Sequence, residues 1–196
     1  MEKKTFTSRQ LAIINSAIEL IAREGIQNLT IKNLSAKVGV TEGAIYRHFD
    51  SKMDILLGIL ETFKENTNAL LSKIRQQESS PMKQLELLFK ERFKQFNAKP
   101  ALATIIFAEE IFQNDRRLSQ AIISIMETSQ QIIQEIISQI QAKKEIRDDI
   151  SSAHLSLILL GAMRFMVAKW HLSGFSYDLE EEGNKLWESI KKMIRK

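Results

Sequence analysis

The sequence predicts an all-α fold of about nine helices, three in a compact N-terminal head and six in an antiparallel C-terminal body. Three observations predict it. Apolar residues recur at the three-to-four-residue spacing of amphipathic helices. No stretch sustains the two-residue alternation of a strand, and 7 Gly and 2 Pro in 196 residues leave little turn chemistry between short apolar runs. Ser, Thr, Asp or Asn stands before most of the periodic segments, where a helix start needs a side-chain acceptor. A hydrophobic share of 44% is too high for a disordered chain.

Each element follows in order. Thr7 or Ser8 caps a first helix over Ser8 to Arg23, which Gly25 ends; Leu11, Ile14, Ala17, Ile18 and Ile21 form its apolar stripe. Thr30 caps a second over Ile31 to Val38, and Gly39 punctuates. Thr41 caps a third over Glu42 to Phe49, and Ser51 a long fourth from Lys52 to about Gln76. The head is therefore expected at 1–53 and the body at 54–196. Glu78-Ser79-Ser80-Pro81 marks a break, and Pro81 opens a fifth helix to about Asn97. Lys99-Pro100 starts a sixth to about Phe112, and Asn114 or Asp115 caps a seventh to about Lys143. An eighth runs from Asp149 or Ser151 to His171, and a ninth from about Asp178 to Ile194.

Composition excludes several functions. There is no cysteine, hence no disulfide, thiolate nucleophile or Cys-ligated zinc. No secretory leader is evident, and the longest uncharged stretch near the C-terminus, Ile150 to Met163, falls short of the ~20 apolar residues of a membrane span. A cytoplasmic protein without a membrane partner is expected. His48, His154 and His171 are far apart, and no metal-site, phosphate-loop or nucleophile motif occurs. No metal, cofactor or catalytic site is expected. The net charge of +4 is uneven: residues 1–53 carry 8 Lys/Arg against 5 Asp/Glu, and the remainder 20 against 19. The excess points, weakly by itself, to a polyanionic partner of the head.

The same quarter carries the informative motif. Ile31, Leu34 and Val38 face inward on the second helix, Ala36 is small where paired helices approach, Gly39 permits a left-handed turn, and Ile45 and Phe49 anchor the third helix. This pattern reads as a helix-turn-helix. It leaves Thr41, Glu42, Ala44, Tyr46, Arg47 and His48 in more exposed roles, on a helix of a size to enter a major groove. Thr30, Tyr46, His48 and Lys52 have the chemistry for phosphate contacts.

The segment Ala12 to Leu57 closely resembles the DNA-binding domain of the tetracycline-repressor (TetR/AcrR) family. The residues that carry the resemblance are Ile18, Leu20, Gly25, Thr30, Ile31, Ala36, Gly39, Val40, Ile45-Tyr46-Arg47-His48-Phe49, Ser51-Lys52 and Ile55-Leu56. The resemblance implies a recognition helix at Thr41 to Phe49, with Gly43 within it. It implies a dimer on a palindromic operator, mostly repressing transcription, and release when a ligand binds the C-terminal domain. Gly43 is expected to weaken the recognition helix by roughly 0.5–1 kcal/mol relative to Ala.

In the body, Leu155 to Val167 is apolar around more than one stripe, so the eighth helix must bury two faces. One meets the core and the other a second subunit. The expected dimer residues are Leu155, Ile158, Ala162, Phe165, Leu186, Trp187 and Ile190. The effector, of unknown identity and largely apolar, is expected among Phe89, Phe93, Phe96, Ile105, Phe112, Met126 and Met163. One of Glu109 and Glu110 faces inward and needs a partner: Arg164, His154, or a cationic or hydrogen-bonding ligand. A constitutive DNA-binding or architectural protein without an effector is the alternative.

Overall fold

The computed structural model describes residues 6–107 and 115–195. Nine α-helices lie among them: α1 (Ser8–Glu24), α2 (Ile31–Val38), α3 (Glu42–Tyr46), α4 (Lys52–Gln77), α5 (Pro81–Ala98), α6 (Pro100–Ile106), α7 (Arg116–Ala142), α8 (Ser152–Leu172) and α9 (Leu179–Ile194). One 3-10 turn spans Ile26–Asn28, and the described residues contain no strand. The chain forms two compact units, Met1–Lys64 with Thr104–Ile122, and Glu65–Ala103 with Ile123–Lys196.

In the first unit, α1 starts with a reciprocal cap. Thr7 Oγ1 accepts from the Gln10 N–H at 3.2 Å, and Gln10 Oε1 accepts from the Thr7 N–H at 3.0 Å. The buried stripe of α1 is Ile13, Ile14, Ala17, Leu20 and Ile21. Leu11 is exposed and Ile18 half-buried, so the stripe is rotated from the expected one. With apolar residues at 11, 13, 14, 17, 18, 20 and 21, two phases of the helical period compete, and packing selects the later. Leu34, Ile45, Phe49, Ile55, Leu56, Ile59 and Leu60 complete the core. Ala36 is exposed, against expectation; the small residue at a close helix contact is Gly58 of α4, where a Cβ would lie 3.0 Å from Ile14 Cδ1. Ile105 and Leu118 are also fully buried in this unit.

The second unit is built on α5 against α9. Phe89 meets Phe93 edge-on at 5.0 Å and Trp187 at 5.4 Å. Gly183 of α9 lies under the Phe93 ring, whose Cδ2 would be 2.3 Å from an added Cβ. α7 buries Ile133, Ile136, Ile137 and Ile140, and α8 buries Leu155, Leu159, Met163, Val167 and Trp170. The loop after α7 is fastened by Gln141 Nε2, which donates to the carbonyls of Arg147 and Ile150 at 3.0 and 2.8 Å. The turn after α8 is fastened by Trp170 Nε1, which donates to the Tyr177 carbonyl at 2.8 Å. By length and composition alone, α8 would suffice to cross a membrane. Its inward face nevertheless packs as a core helix, and it carries Arg164 and Lys169.

The contact at Gly183 yields a test. Alanine is the better helix former by ~0.8–1.0 kcal/mol, but here its Cβ must displace a buried ring. Overpacking of this kind costs ~1–3 kcal/mol. Gly183→Ala is therefore expected to lower the urea midpoint with helicity retained. A raised midpoint would show that Phe93 does not occupy this position.

Candidate nucleic-acid interface

The site is built around a turn. Thr30 Oγ1 accepts from the Asn33 N–H at 3.1 Å and starts α2. Gly39 ends α2 at φ 75° and ψ 37°, a left-handed geometry that a side chain strains. The Val40 N–H then reaches back to the Ser35 carbonyl at 3.0 Å. Thr41 Oγ1 accepts from the Ala44 N–H at 3.3 Å and starts α3.

The regular part of α3 ends at Tyr46, earlier than the expected Phe49. Arg47 and His48 follow in a turn closed by His48 N–H to the Ile45 carbonyl at 2.9 Å. The early end has a physical cause. The last turn tightens to a three-residue hydrogen bond at His48 while the Phe49 N–H still reaches the Ile45 carbonyl at 3.1 Å, and Phe49 is buried along with Ile45. Gln10 Nε2 of α1 donates to the His48 carbonyl at 3.3 Å and ties down the end of the turn.

Burying Ile45 and Phe49 turns the other side of α3 outward. Thr30, Thr41, Glu42, Gly43, Tyr46 and Arg47 are exposed, while Ala44, His48 and Lys52 are half-buried. Arg47 and Lys52 make no ion pair among the described residues. Lys37 does: its Nζ lies 2.9 Å from Glu19 on α1, so part of the basic excess serves the fold. All nine of the expected contact residues lie between positions 30 and 52 of the first unit.

A second cluster, not foreseen from the sequence, holds the start of α4 beside Lys52. Ser51 Oγ accepts from the Asp54 N–H at 3.2 Å and donates to Asp54 Oδ2 at 2.5 Å. Arg117, at the start of α7, donates to Asp54 Oδ1 at 2.7 Å and to Asp115 Oδ2 at 2.8 Å. The hydrogen bonds from Arg117 hold the Asp115 carboxyl below its ordinary range. The long separation of 54 from 117 gave no sequence signal for this pairing.

In the second unit the expected effector residues separate. Phe89 and Met163 line a cavity of about 50 Å³ together with Thr67, Leu85, Leu88, Arg92, Ser129, Ile132, Ile133 and Leu160. Phe93 packs on Gly183, and Phe96 is buried away from the cavity lining. Met126 and His154 are exposed, and Ile105 belongs to the core of the first unit. Glu109, Glu110 and Phe112 lie outside the described residues. Arg92 was not foreseen. Its guanidinium donates to Gln95 Oε1 at 2.6 Å and to Thr67 Oγ1 at 2.9 Å, and burial pushes its pKa down to about 10.

The expected dimer residues also divide. Leu155, Trp187 and Ile190 are buried in the chain's own core and offer nothing to a partner, because α8 and α9 turn those faces inward. Ile158 and Phe165 are 45% and 72% exposed. Ala162, Phe165 and Leu186 line an open groove with Met166, Lys169 and Tyr177. Leu157, also exposed, extends the apolar surface on α8.

Comparison with known proteins agrees with this geometry. The family model of bacterial regulatory proteins, tetR family, matches residues 13–59. That of the YsiA-like protein C-terminal region matches residues 63–193. The nucleoid occlusion factor SlmA of Aliivibrio fischeri is 25% identical over 189 residues, covering 96% of each chain. Among solved structures, the fatty acid degradation regulator FadR of Bacillus halodurans superposes with a TM-score of 0.81 at 22% identity, over 96% of this chain and 97% of that one. The transcriptional regulator FadR of Bacillus subtilis, in complex with stearoyl-CoA, gives 0.78 at 23% identity, over 94% and 99%. These structural likenesses carry the fold; the two family models, which between them span nearly the whole chain, carry the membership. The chain belongs to the tetR family of bacterial regulatory proteins, with an N-terminal helix-turn-helix for DNA and a YsiA-like C-terminal region.

Proposed function

We propose that the protein is a cytoplasmic repressor that binds a palindromic operator as a homodimer and is released by a small, largely apolar effector in its C-terminal unit. The observation that carries the DNA-binding part is the turn at Gly39, which, with Ile45 and Phe49 buried, leaves Thr41, Tyr46 and Arg47 outward. Thr41 and Arg47 are the candidates for base edges, and Thr30, Tyr46, His48 and Lys52 for phosphates. Gly43, which has no side chain, allows the backbone of α3 to approach the groove, with Glu42 and Ala44 beside it.

The exposed apolar surface of α8, with Leu157, Ile158 and Phe165, supports a second subunit as its cover. The stearoyl-CoA held by the Bacillus subtilis protein supports an apolar effector. Release requires that the effector bind the DNA-incompetent arrangement more tightly; each tenfold preference supplies ~1.4 kcal/mol of coupling. α4, which carries both Lys52 and the cavity residue Thr67, is the proposed link.

A constitutive DNA-binding role is the second reading. The cavity of about 50 Å³ favours it, since a space of that size is far below the ~300 Å³ at which small-molecule pockets begin. The two readings divide on one experiment: retention of a bound duplex across a panel of apolar compounds selects the constitutive one.

Two outcomes test the common part. A duplex selected from a random pool should contain half-sites at least ~34 Å apart, and binding should weaken steeply with salt. Lys52→Ala should weaken all sequences by a similar factor, whereas Arg47→Ala should change the preference among them. Absence of any duplex affinity at low salt would reject the assignment. Phe165→Glu and Ala162→Glu should dissociate the dimer in sedimentation and reduce operator affinity with it, because one head makes half the contacts. An unchanged dimer in both would place the interface elsewhere.

A further inference from the structure

We propose that Arg117 is a positioning residue for DNA binding: it takes up the charge of Asp54, so that the first turn of α4, with Lys52, can meet a phosphate. This role rests on the reading of Lys52 as a phosphate contact, and it adds a residue that reaches the same surface from the start of α7, within the same unit. It arises from a conflict between what α4 needs in order to start and what a phosphate tolerates beside that start.

The fold asks for an acid at position 54. Ser51 Oγ accepts from the Asp54 N–H at 3.2 Å, and the free N–H groups of a helix start favour an acidic side chain in the first turn. DNA asks for the opposite. Two residues rise only ~3 Å along a helix. A phosphate seated at the backbone of Lys52 is therefore within the ~8 Å Debye length of physiological salt from Asp54. Left unpaired, the Asp54 carboxylate would repel it.

One guanidinium reconciles the two. Arg117 Nη1 donates to Asp54 Oδ1 at 2.7 Å, and the Ser51 hydroxyl donates to Oδ2 at 2.5 Å, so both oxygens are engaged. Asp115 aims the guanidinium. Its Oδ1 accepts from Arg117 Nε at 3.2 Å and its Oδ2 from Nη2 at 2.8 Å, a two-pronged grip that a lysine cannot offer. Nη1 is the nitrogen turned to Asp54. Lys52 makes no ion pair among the described residues and keeps its ammonium for a phosphate. Arg117 is exposed, and exposed pairs add little to stability. Its pairing therefore matters more for the charge presented at the start of α4 than for the fold.

The test measures the affinity of the full-length protein for a selected duplex and for an unrelated one. At ~0.1 M salt, Arg117→Gln should weaken both by a similar factor, roughly threefold to tenfold. The loss should shrink as added salt shortens the Debye length from ~10 Å towards ~3 Å; a purely structural loss would not. Adding Asp54→Asn, which keeps an acceptor oxygen and removes the charge, should return Arg117→Gln to within about twofold of the native affinity. Adding Glu127→Gln instead, an equal change of net charge at an exposed position further along α7, should not. Arg117→Lys, which keeps the charge, should retain most of the affinity. Should Arg117→Gln fail to fold, Asp54→Asn in the native background decides: a change below about threefold shows that its charge is already taken up, and a larger gain overturns the role. An unchanged affinity in Arg117→Gln, no recovery with Asp54→Asn, or an equal recovery with Glu127→Gln also overturns it, while the reading of Lys52 stands. Absence of any duplex binding by the native protein, or a Lys52→Ala variant that binds as the native protein does, overturns both.

Discussion

The burial of Ile45 and Phe49 is the constraint on which the proposed DNA-facing surface depends. The helix α3 is 5 residues long. Helices so short do not form alone, because nucleation fixes several residues for one hydrogen bond. This one exists because Ile45 is fully buried, α3 packs on α2, Phe49 is buried just beyond its end, and Thr41 supplies the cap. The αL conformation of Gly39 sets its direction relative to α2. Every outward residue from Thr41 to Lys52 takes its position from those two anchors. The polar surface is thus a by-product of a core contact, and a core substitution at position 45 would act on recognition without touching DNA.

The second unit solves a different problem with the same element type. α8 is apolar on more sides than one core can use. Its Leu155, Leu159, Met163 and Val167 face inward, while Leu157, Ile158 and Phe165 remain outside. An apolar surface of that kind calls for a cover, and a second copy of the same helix is the simplest one. Close to the inward face of α8 lies the cavity with Arg92, whose neighbours Leu160 and Met163 come from α8 itself. One helix therefore contributes to the proposed subunit contact and to the proposed ligand site, so a ligand that moved α8 would act on that contact directly.

Much of this was legible in the sequence, for identifiable reasons. Caps and stops depend on single residues, so Thr30, Thr41, Gly39 and Pro81 marked helix ends correctly. The motif from Ile45 to Lys52 identified the head because its anchors and its outward residues are adjacent in the chain. Phase was harder. In α1 the crowding of apolar residues permitted two stripes, and only packing excluded Leu11. The same ambiguity put Trp187 and Ile190 on an expected dimer face when α9 turns them inward. Contacts between distant positions left no trace: Arg117 with Asp54, Phe93 with Gly183, and the meeting of Arg92 with Thr67. Periodicity records which way a residue points along its own helix and says nothing about what waits there.

The central claim is that DNA is read by the surface from Thr41 to Lys52, held in place by Ile45 and Phe49. Hydrogen exchange of the protein, free and saturated with a selected duplex, tests it most directly. The account predicts new protection over residues 41–52 and at the start of α2, with the exposed polar side of α7 at Gln131, Glu135 and Gln139 unchanged. Protection that falls on α7 while residues 41–52 exchange as before would contradict it.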